Sequence, residues 1–254
     1  MKNIILTTVA ITLSFSVFGW GQTGHRAIGE IAENHLTESA KKNIKAIMRH
    51  ESLAESSTWM DEVRSDSKYD FAKTWHYVTI PDGSDYESVE HEEKGDVFEA
   101  IGRMKDILKN ANSSKEQQLE AIRMLTHLVG DMHQPLHVGN GEDRGGNNVK
   151  VKWFYDDSNL HRIWDSGMID QKQYSYTELA QIIDGPIITD DDDLYSTDLN
   201  VWVAEAMELR PQVYDFGTKD YLSYEYMYKN WDTVKIQIHK AGVRLAQILN
   251  EIYG

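Results

Sequence analysis

The chain has no cysteine, which excludes disulfide cross-links and thiolate metal sites. Proline occurs only at positions 81, 135, 186 and 211, so long stretches can run as uninterrupted helix. Basic residues are outnumbered, with 26 Lys and Arg against 41 Asp and Glu and a formal net charge of −15. That balance argues against a broad cationic face for non-specific nucleic-acid binding. It leaves room for a phosphate gripped by bound metal. Only one apolar run stands out, Ile4 to Phe18. Broken by Thr7, Thr8, Thr12, Ser14 and Ser16, it is too short and too rich in hydroxyls to make a good membrane span. Preceded by Lys2 and followed by small residues, it predicts an export signal at residues 1–19, cut after Gly19. The mature chain then begins at Trp20 and is exported as a soluble periplasmic or secreted protein. Without disulfides, its stability must come from its core, from bound metal, or from both.

Helical spacing dominates what remains. Ile28, Ile31, Ala32 and His35 share one face of a first helix, and Thr37 caps a second that carries Ile44, Ile47 and Met48. Asp96 to Leu108 and Lys115 to His133 read as two more, the latter with a wide apolar stripe from Leu119 to Met132. Tyr221 to Tyr253 reads as a final pair of helices or one long one, and Val149 to Phe154 as the best strand. With no internal repeat and no linker-like change of composition, residues 20–254 are expected to form one mainly α domain. It should be a helical bundle with long loops and at most a small β-hairpin. The run Asp190 to Asp193 lacks the alternating spacing and downstream Glu of a calcium loop and reads as a solvated acidic loop. Asn112-Ser113-Ser114 fits a glycosylation sequon only as an isolated match.

The chemistry lies in histidine and aspartate at restricted spacings. His127 and Asp131 are four residues apart on the strongest helix and so project from one face. Pro135, four further on, removes the bond to the Asp131 carbonyl and should end or kink that helix. His137 follows, and His161 and Asp165 repeat the four-residue spacing. A lone pair of this kind is usually a surface hydrogen bond. Here one pair borders an apolar stripe, where an unpaired carboxylate is costly. Two such pairs beside a Gly/Asn-rich loop supply the nitrogen and oxygen ligands that zinc takes when thiolate is missing.

The segment His127-Leu128-Val129-Gly130-Asp131-Met132-His133-Gln134-Pro135-Leu136-His137, followed by Asp143-Arg144-Gly145-Gly146-Asn147-Asn148, resembles the central signature of the S1/P1 nuclease family. Trp20-Gly21, Gly24-His25, Trp59-Met60-Asp61, Trp75-His76, Leu160-His161, Trp164-Asp165 and Ala241-Gly242-x-Arg244-Leu245-Ala246 extend the resemblance along almost the whole mature chain. It implies a fold of the phospholipase C/P1 nuclease type and three zinc ions per chain. Asp61, His76, His127 and Asp131 would hold the first ion, and His137, His161 and Asp165 the second. The third would fall to His25, Asp131 and Trp20, the last through its free α-amino nitrogen and carbonyl oxygen. The resemblance also implies hydrolysis of single-stranded DNA and RNA to 5′-nucleotides, with 3′-nucleotidase activity; with no lipid-docking segment and no evident protein partner in the sequence, a monomer that does not bind a membrane is expected. Arg64, three residues after the metal-site Asp61, is the candidate for stabilising transition-state charge. His133 belongs to the signature as a structural or supporting residue, while His35, His50, His91 and His239 read as surface or packing residues.

Base recognition departs from the fungal pattern, since Thr79 to Pro81 and Gly167 stand where those members carry an acid and an asparagine. Tyr77, as a stacking platform, and Asp82, as a replacement acid, are the candidates for that role, with Asn147 and Asn148 as further substrate contacts. Two rival readings share the metal. A zinc phospholipase C has a similar cluster, but Asp165 stands here as the last ligand where that family has Glu. A zinc-binding envelope protein would close the coordination shell that this ligand set leaves open.

Overall fold

The computed structural model describes residues 19–185 and 193–254. The Ile4–Phe18 run and Asp190 to Asp192 lie outside them. None of the described helices is long and apolar enough to cross a membrane.

The first helix, α1 (Gln22–His35), forms the central beam, with Ala27, Ile28, Ile31 and Ala32 fully buried. The Thr37 hydroxyl caps α2 (Glu38–Met48) as its sequence predicts, accepting from the Ala40 amide. Two short helices follow, α3 (Leu53–Ser56) and α4 (Trp59–Glu62), and two 3-10 turns then lead to strand β1 (Val78–Thr79). Helices α5 (Val97–Lys109) and α6 (Lys115–Met132) pack against each other. Ser114, the last residue of the sequon, forms a capping box with Gln117 at the start of α6. The helix ends at Met132, and Pro135 opens a 3-10 turn, Pro135–His137, that feeds β2 (Val138–Gly139).

A hairpin, β3 (Lys150–Trp153) and β4 (Asp156–Asn159), follows the Gly-rich loop. Next come α7 (Leu160–Arg162), a π-helical turn at Ile163–Gly167, α8 (Met168–Lys172) and α9 (Tyr176–Ile183). Helices α10 (Leu199–Glu208) and α11 (Arg210–Val213) precede β5 (Tyr221–Leu222) and the 30-residue α12 (Tyr224–Tyr253). Tyr221 and Leu222, read from sequence as the start of the last helix, pair instead in parallel with Lys152 and Trp153. The hairpin thus becomes a three-stranded sheet, and β1 pairs in parallel with β2.

Helix α1 packs against α3, α6, α9 and α12. Two glycines permit this closeness. A Cβ at Gly29 would lie 2.6 Å from Ala54 Cα on α3, and one at Gly242 would lie 2.5 Å from Ile31 Cγ2. On the same stretch of α12, the fully buried Arg244 binds both carboxylate oxygens of Glu205 on α10 and the Nε2 of His133. The C-terminal motif around Gly242 is therefore a packing device that ties α12 to α1, α6 and α10. Gly242→Ala should destabilise the protein by about 1–3 kcal/mol through overpacking, read as a lowered urea midpoint; an unchanged midpoint would show that α12 can shift freely on α1.

Candidate metal centre

Five histidines and three aspartates from separate parts of the chain converge on the interior end of α1 and α6. His25 lies on α1, Asp61 on α4, His76 just before β1, His127 and Asp131 on α6, His137 in the 3-10 turn, His161 on α7 and Asp165 in the π turn. Helix geometry stacks His127 over Asp131, with Nε2 3.2 Å from Oδ2. The π turn keeps Asp165 beside His161, again at 3.2 Å.

Asp131 is the hub. It is wholly buried, with His25 Nε2 3.4 Å from Oδ1 and His76 Nδ1 3.0 Å from Oδ2. Asp61 Oδ1 lies 3.9 Å from His127 Nε2, and His137 Nε2 lies 3.7 Å from Asp165 Oδ1. The sides fall into three groups within metal-binding reach: His25 with His127 and Asp131; Asp61 with His76 and His127; His137 with His161 and Asp165. Nitrogen and oxygen ligands about 2.0–2.1 Å from a tetrahedral zinc stand about 3.3 Å apart, which is the range seen here.

The hydrogen-bond accounting also fits a cation. The Nδ1 of His127 donates to the Ser57 carbonyl at 2.7 Å, that of His137 to the His76 carbonyl, and that of His161 to the Gly145 carbonyl at 2.6 Å. A carbonyl only accepts, so each ring is held in the tautomer that turns a bare Nε2 into the cluster. Ten buried side-chain nitrogen and oxygen atoms lack a hydrogen-bond partner among the described residues. Six of them belong to this cluster: both nitrogens of His25, Asp61 Oδ1, Asp131 Oδ1, His137 Nε2 and His161 Nε2. Buried polar atoms are normally satisfied, and cations held between these side chains would satisfy five of the six, the exception being His25 Nδ1, which faces Gly130 on the far side of the ring.

Electrostatics give the same picture. Burial opposes charge on His127 and His137, yet neighbouring carboxylates, Asp131 foremost, lift each to about 9. Despite its own burial, Asp131 is held well below the usual carboxylate range by His127 and His137. Burial lowers His25 to about 4 and also lowers His76 and His161, while it raises Asp165. Positive charge is thus stabilised on His127 and His137, while burial outweighs the facing carboxylate at His25, His76 and His161 and favours their neutral, ligand-competent form.

Trp20 is fully buried beside the cluster, and the Gly21 amide donates to the Asp165 carbonyl at 2.6 Å. A Cβ at Gly19 would lie 1.6 Å from Asp131 Oδ1 and 2.8 Å from His25 Nε2. The backbone at residue 19 therefore runs directly across the Asp131–His25 edge. Arg64 sits at the rim, Nη1 3.6 Å from Asp61 Oδ1.

A cavity of about 290 Å³ opens beside His161 and is walled by Tyr77, Thr79, Glu92, Leu136, Arg144 and Asn147. Asn148 is exposed and outside it. Asp82 is outside it too, because its carboxylate pairs with Arg210 at 2.7 Å, and that guanidinium also binds the Val138 and Gly139 carbonyls. Sequence reasoning did not single out Glu92, Arg144, Ser57 or Gln134. Gln134 donates to Asp165 Oδ1 and accepts from the Leu136 amide at 2.6 Å, so it orients that aspartate; its place inside the signature was the available signal. His91, read as a residue without partners, lies on Asp96 at 3.1 Å, while His35 and His239 both face Asp184.

The S1/P1 Nuclease family model matches residues 20–254. Endonuclease 2 of Arabidopsis thaliana is 30% identical, over 99% of this chain and 96% of its own length. Nuclease S1 of Aspergillus oryzae is 29% identical, over 97% and 96%, and nuclease P1 of Penicillium citrinum 27%, over 92% and 98%. Among solved structures, the alpha toxin of Clostridium absonum aligns at a TM-score of 0.46 and 17% identity, over 93% of this chain and 67% of that one. Replacing the residue that orients Asp165, Gln134→Ala, should weaken zinc binding by about 10- to 100-fold in a chelator competition; unchanged affinity would mean Asp165 needs no such support.

Proposed function

The chain belongs to the S1/P1 nuclease family, and we propose that it is an exported zinc-dependent endonuclease that cleaves single-stranded DNA and RNA to 5′-nucleotides, with accompanying 3′-nucleotidase activity. The observation that carries this reading is the buried His/Asp cluster, with five unpartnered ligand atoms facing one another, opening beside a base-sized cavity. Asp61, His76, His127 and Asp131 would hold one zinc, and His137, His161 and Asp165 a second. His25, Asp131 and the Trp20 terminus would hold a third. Bound zinc supplies Lewis acidity and a water of lowered pKa at a phosphodiester.

The chain's own residues do the rest. Arg64 at the rim offers a guanidinium to the phosphate oxygens as charge builds on them. Tyr77 presents a ring at the cavity wall, and Glu92, within 3.4 Å of the Tyr77 hydroxyl, supplies a carboxylate acceptor for the amino and imino hydrogens of a base. A base can enter such a cavity only when it is unstacked and unpaired, which favours single strands. Arg144 and Asn147, which also line the cavity, offer donors to the same nucleotide.

Mature protein beginning at Trp20 should carry about three zinc per chain and release 5′-nucleotides from single-stranded DNA in a chelator-sensitive way. Cleavage of lecithin in place of DNA would turn the reading toward a phospholipase, and fewer than two zinc would overturn the ligand assignment. Arg64→Ala should lower kcat by about 10²- to 10³-fold with zinc content unchanged; loss of zinc along with activity would make Arg64 a structural residue. Because residue 19 crosses the Asp131–His25 edge, a precursor that keeps residues 1–19 should bind less zinc by elemental analysis than the chain starting at Trp20. Equal zinc in the two forms would remove the terminus from the ligand set.

A further inference from the structure

A second group of metal-binding side chains lies at the opposite end of α1 from His25. His35 ends α1, Asp184 caps the C-terminus of α9, and His239 lies on α12. His35 Nε2 is 2.6 Å and His239 Nε2 3.7 Å from the same oxygen, Asp184 Oδ1. The other oxygen, Oδ2, accepts from Asn34 Nδ2 at 2.9 Å, which fixes the carboxylate with Oδ1 turned toward both imidazoles. His239 is buried, its Nδ1 has no hydrogen-bond partner, and its Nε2 stands too far from the carboxylate for a hydrogen bond. One ligand atom from each residue lies within 4.8 Å of the others.

We propose that His35, Asp184 and His239 form a separate divalent-cation site of zinc type that ties α1, α9 and α12 together outside the active centre. The donor set of two imidazoles and a carboxylate is one zinc accepts, with water completing the shell on the exposed side of His35. The shared oxygen is the geometric argument. A hydrogen bond between His35 and Asp184 satisfies that pair and leaves His239 aimed at an oxygen it does not reach. A cation between the three engages all of them after small side-chain movements, chiefly of the half-exposed His35. Asn34 then plays the part that outer partners play for metal-ligating carboxylates. In a chain without cysteine, such a clip joins three helices that no disulfide can join. The site does not depend on the nuclease reading, because none of its three residues belongs to the buried cluster.

The test uses the metal-loaded mature protein, freed of loose metal by gel filtration and then titrated with Zn²⁺ alone by calorimetry, with thermal unfolding followed in parallel. The expected result is one additional zinc site and a zinc-dependent rise in Tm. In His35→Gln, both should be lost or weakened by roughly tenfold or more, while zinc that resists gel filtration stays unchanged. His50→Gln, an exposed histidine elsewhere, should behave as the parent protein does. Absence of an additional site in the parent, or its persistence in His35→Gln, overturns the proposal. Zinc retained through gel filtration reports the buried cluster independently, so failure there and failure here are read apart.

Discussion

Everything in this molecule is arranged around one buried carboxylate. Asp131 sits in the middle of the protein with no solvent exposure, and a lone carboxylate there would be strongly unfavourable. It is tolerable because four imidazoles, His25, His76, His127 and His137, stand within 4 Å of its oxygens. Those imidazoles come from four elements, two of them far from Asp131 in sequence, so the carboxylate is fully surrounded only when α1, the segment before β1, α6 and the 3-10 turn are all in place. Even the residue beside it is constrained. A Cβ at Gly130 would come within 2.8 Å of His25 Nδ1, so glycine lets α1 lie close enough to deliver that histidine.

The loops are held to the same centre through backbone carbonyls. Ser57, His76 and Gly145 each accept from the Nδ1 of a cluster histidine. The third carbonyl is aimed by unusual backbone, since Arg144, Gly145 and Gly146 all have positive φ, at 59°, 59° and 79°. A Cβ at Gly145 would lie 2.2 Å from the Leu136 carbonyl oxygen, so this tight loop demands glycine both for conformation and for space. Asp143 then pins it, accepting from the Gly146 amide at 2.7 Å and from the Tyr214 hydroxyl at 2.8 Å. The Gly-rich segment thus orients an imidazole rather than cradling a phosphate.

This division explains what the sequence disclosed and what it hid. The 3.6-residue periodicity of α2, α5 and α6 and the Thr37 cap of α2 are local, and so is the stop imposed by Pro135; all were legible. So were the two four-residue His/Asp spacings, one within α6 and the other running from α7 into the π turn. The pairing of Tyr221 with Lys152 was not, since a two-residue strand carries no period of its own and depends on a partner far along the chain. Nor was the ion pair of Asp82, since its partner, Arg210, is 128 residues away and nothing local marks it. His35 and His239 looked isolated because Asp184, which brings them together, is 149 residues from the first and on a different helix from either. Gln134 looked like any glutamine next to a proline until its amide was found on Asp165.

The acidity of the chain follows from the same economy of position. With a formal net charge of −15, the surface as a whole repels a polyanion, and steering by a broad basic face is unavailable. The cationic groups near the site are few: Arg64 beside Asp61, Arg144 in the cavity wall, and His127 and His137, which Asp131 holds toward the charged form. A long strand gains little from contacts away from that point. On the proposed reading, binding energy would come from the phosphate at the cluster and from the base received beside Tyr77. Such an enzyme would grip one nucleotide at a time and would discriminate by whether that nucleotide can leave its stack, not by how much backbone the strand presents.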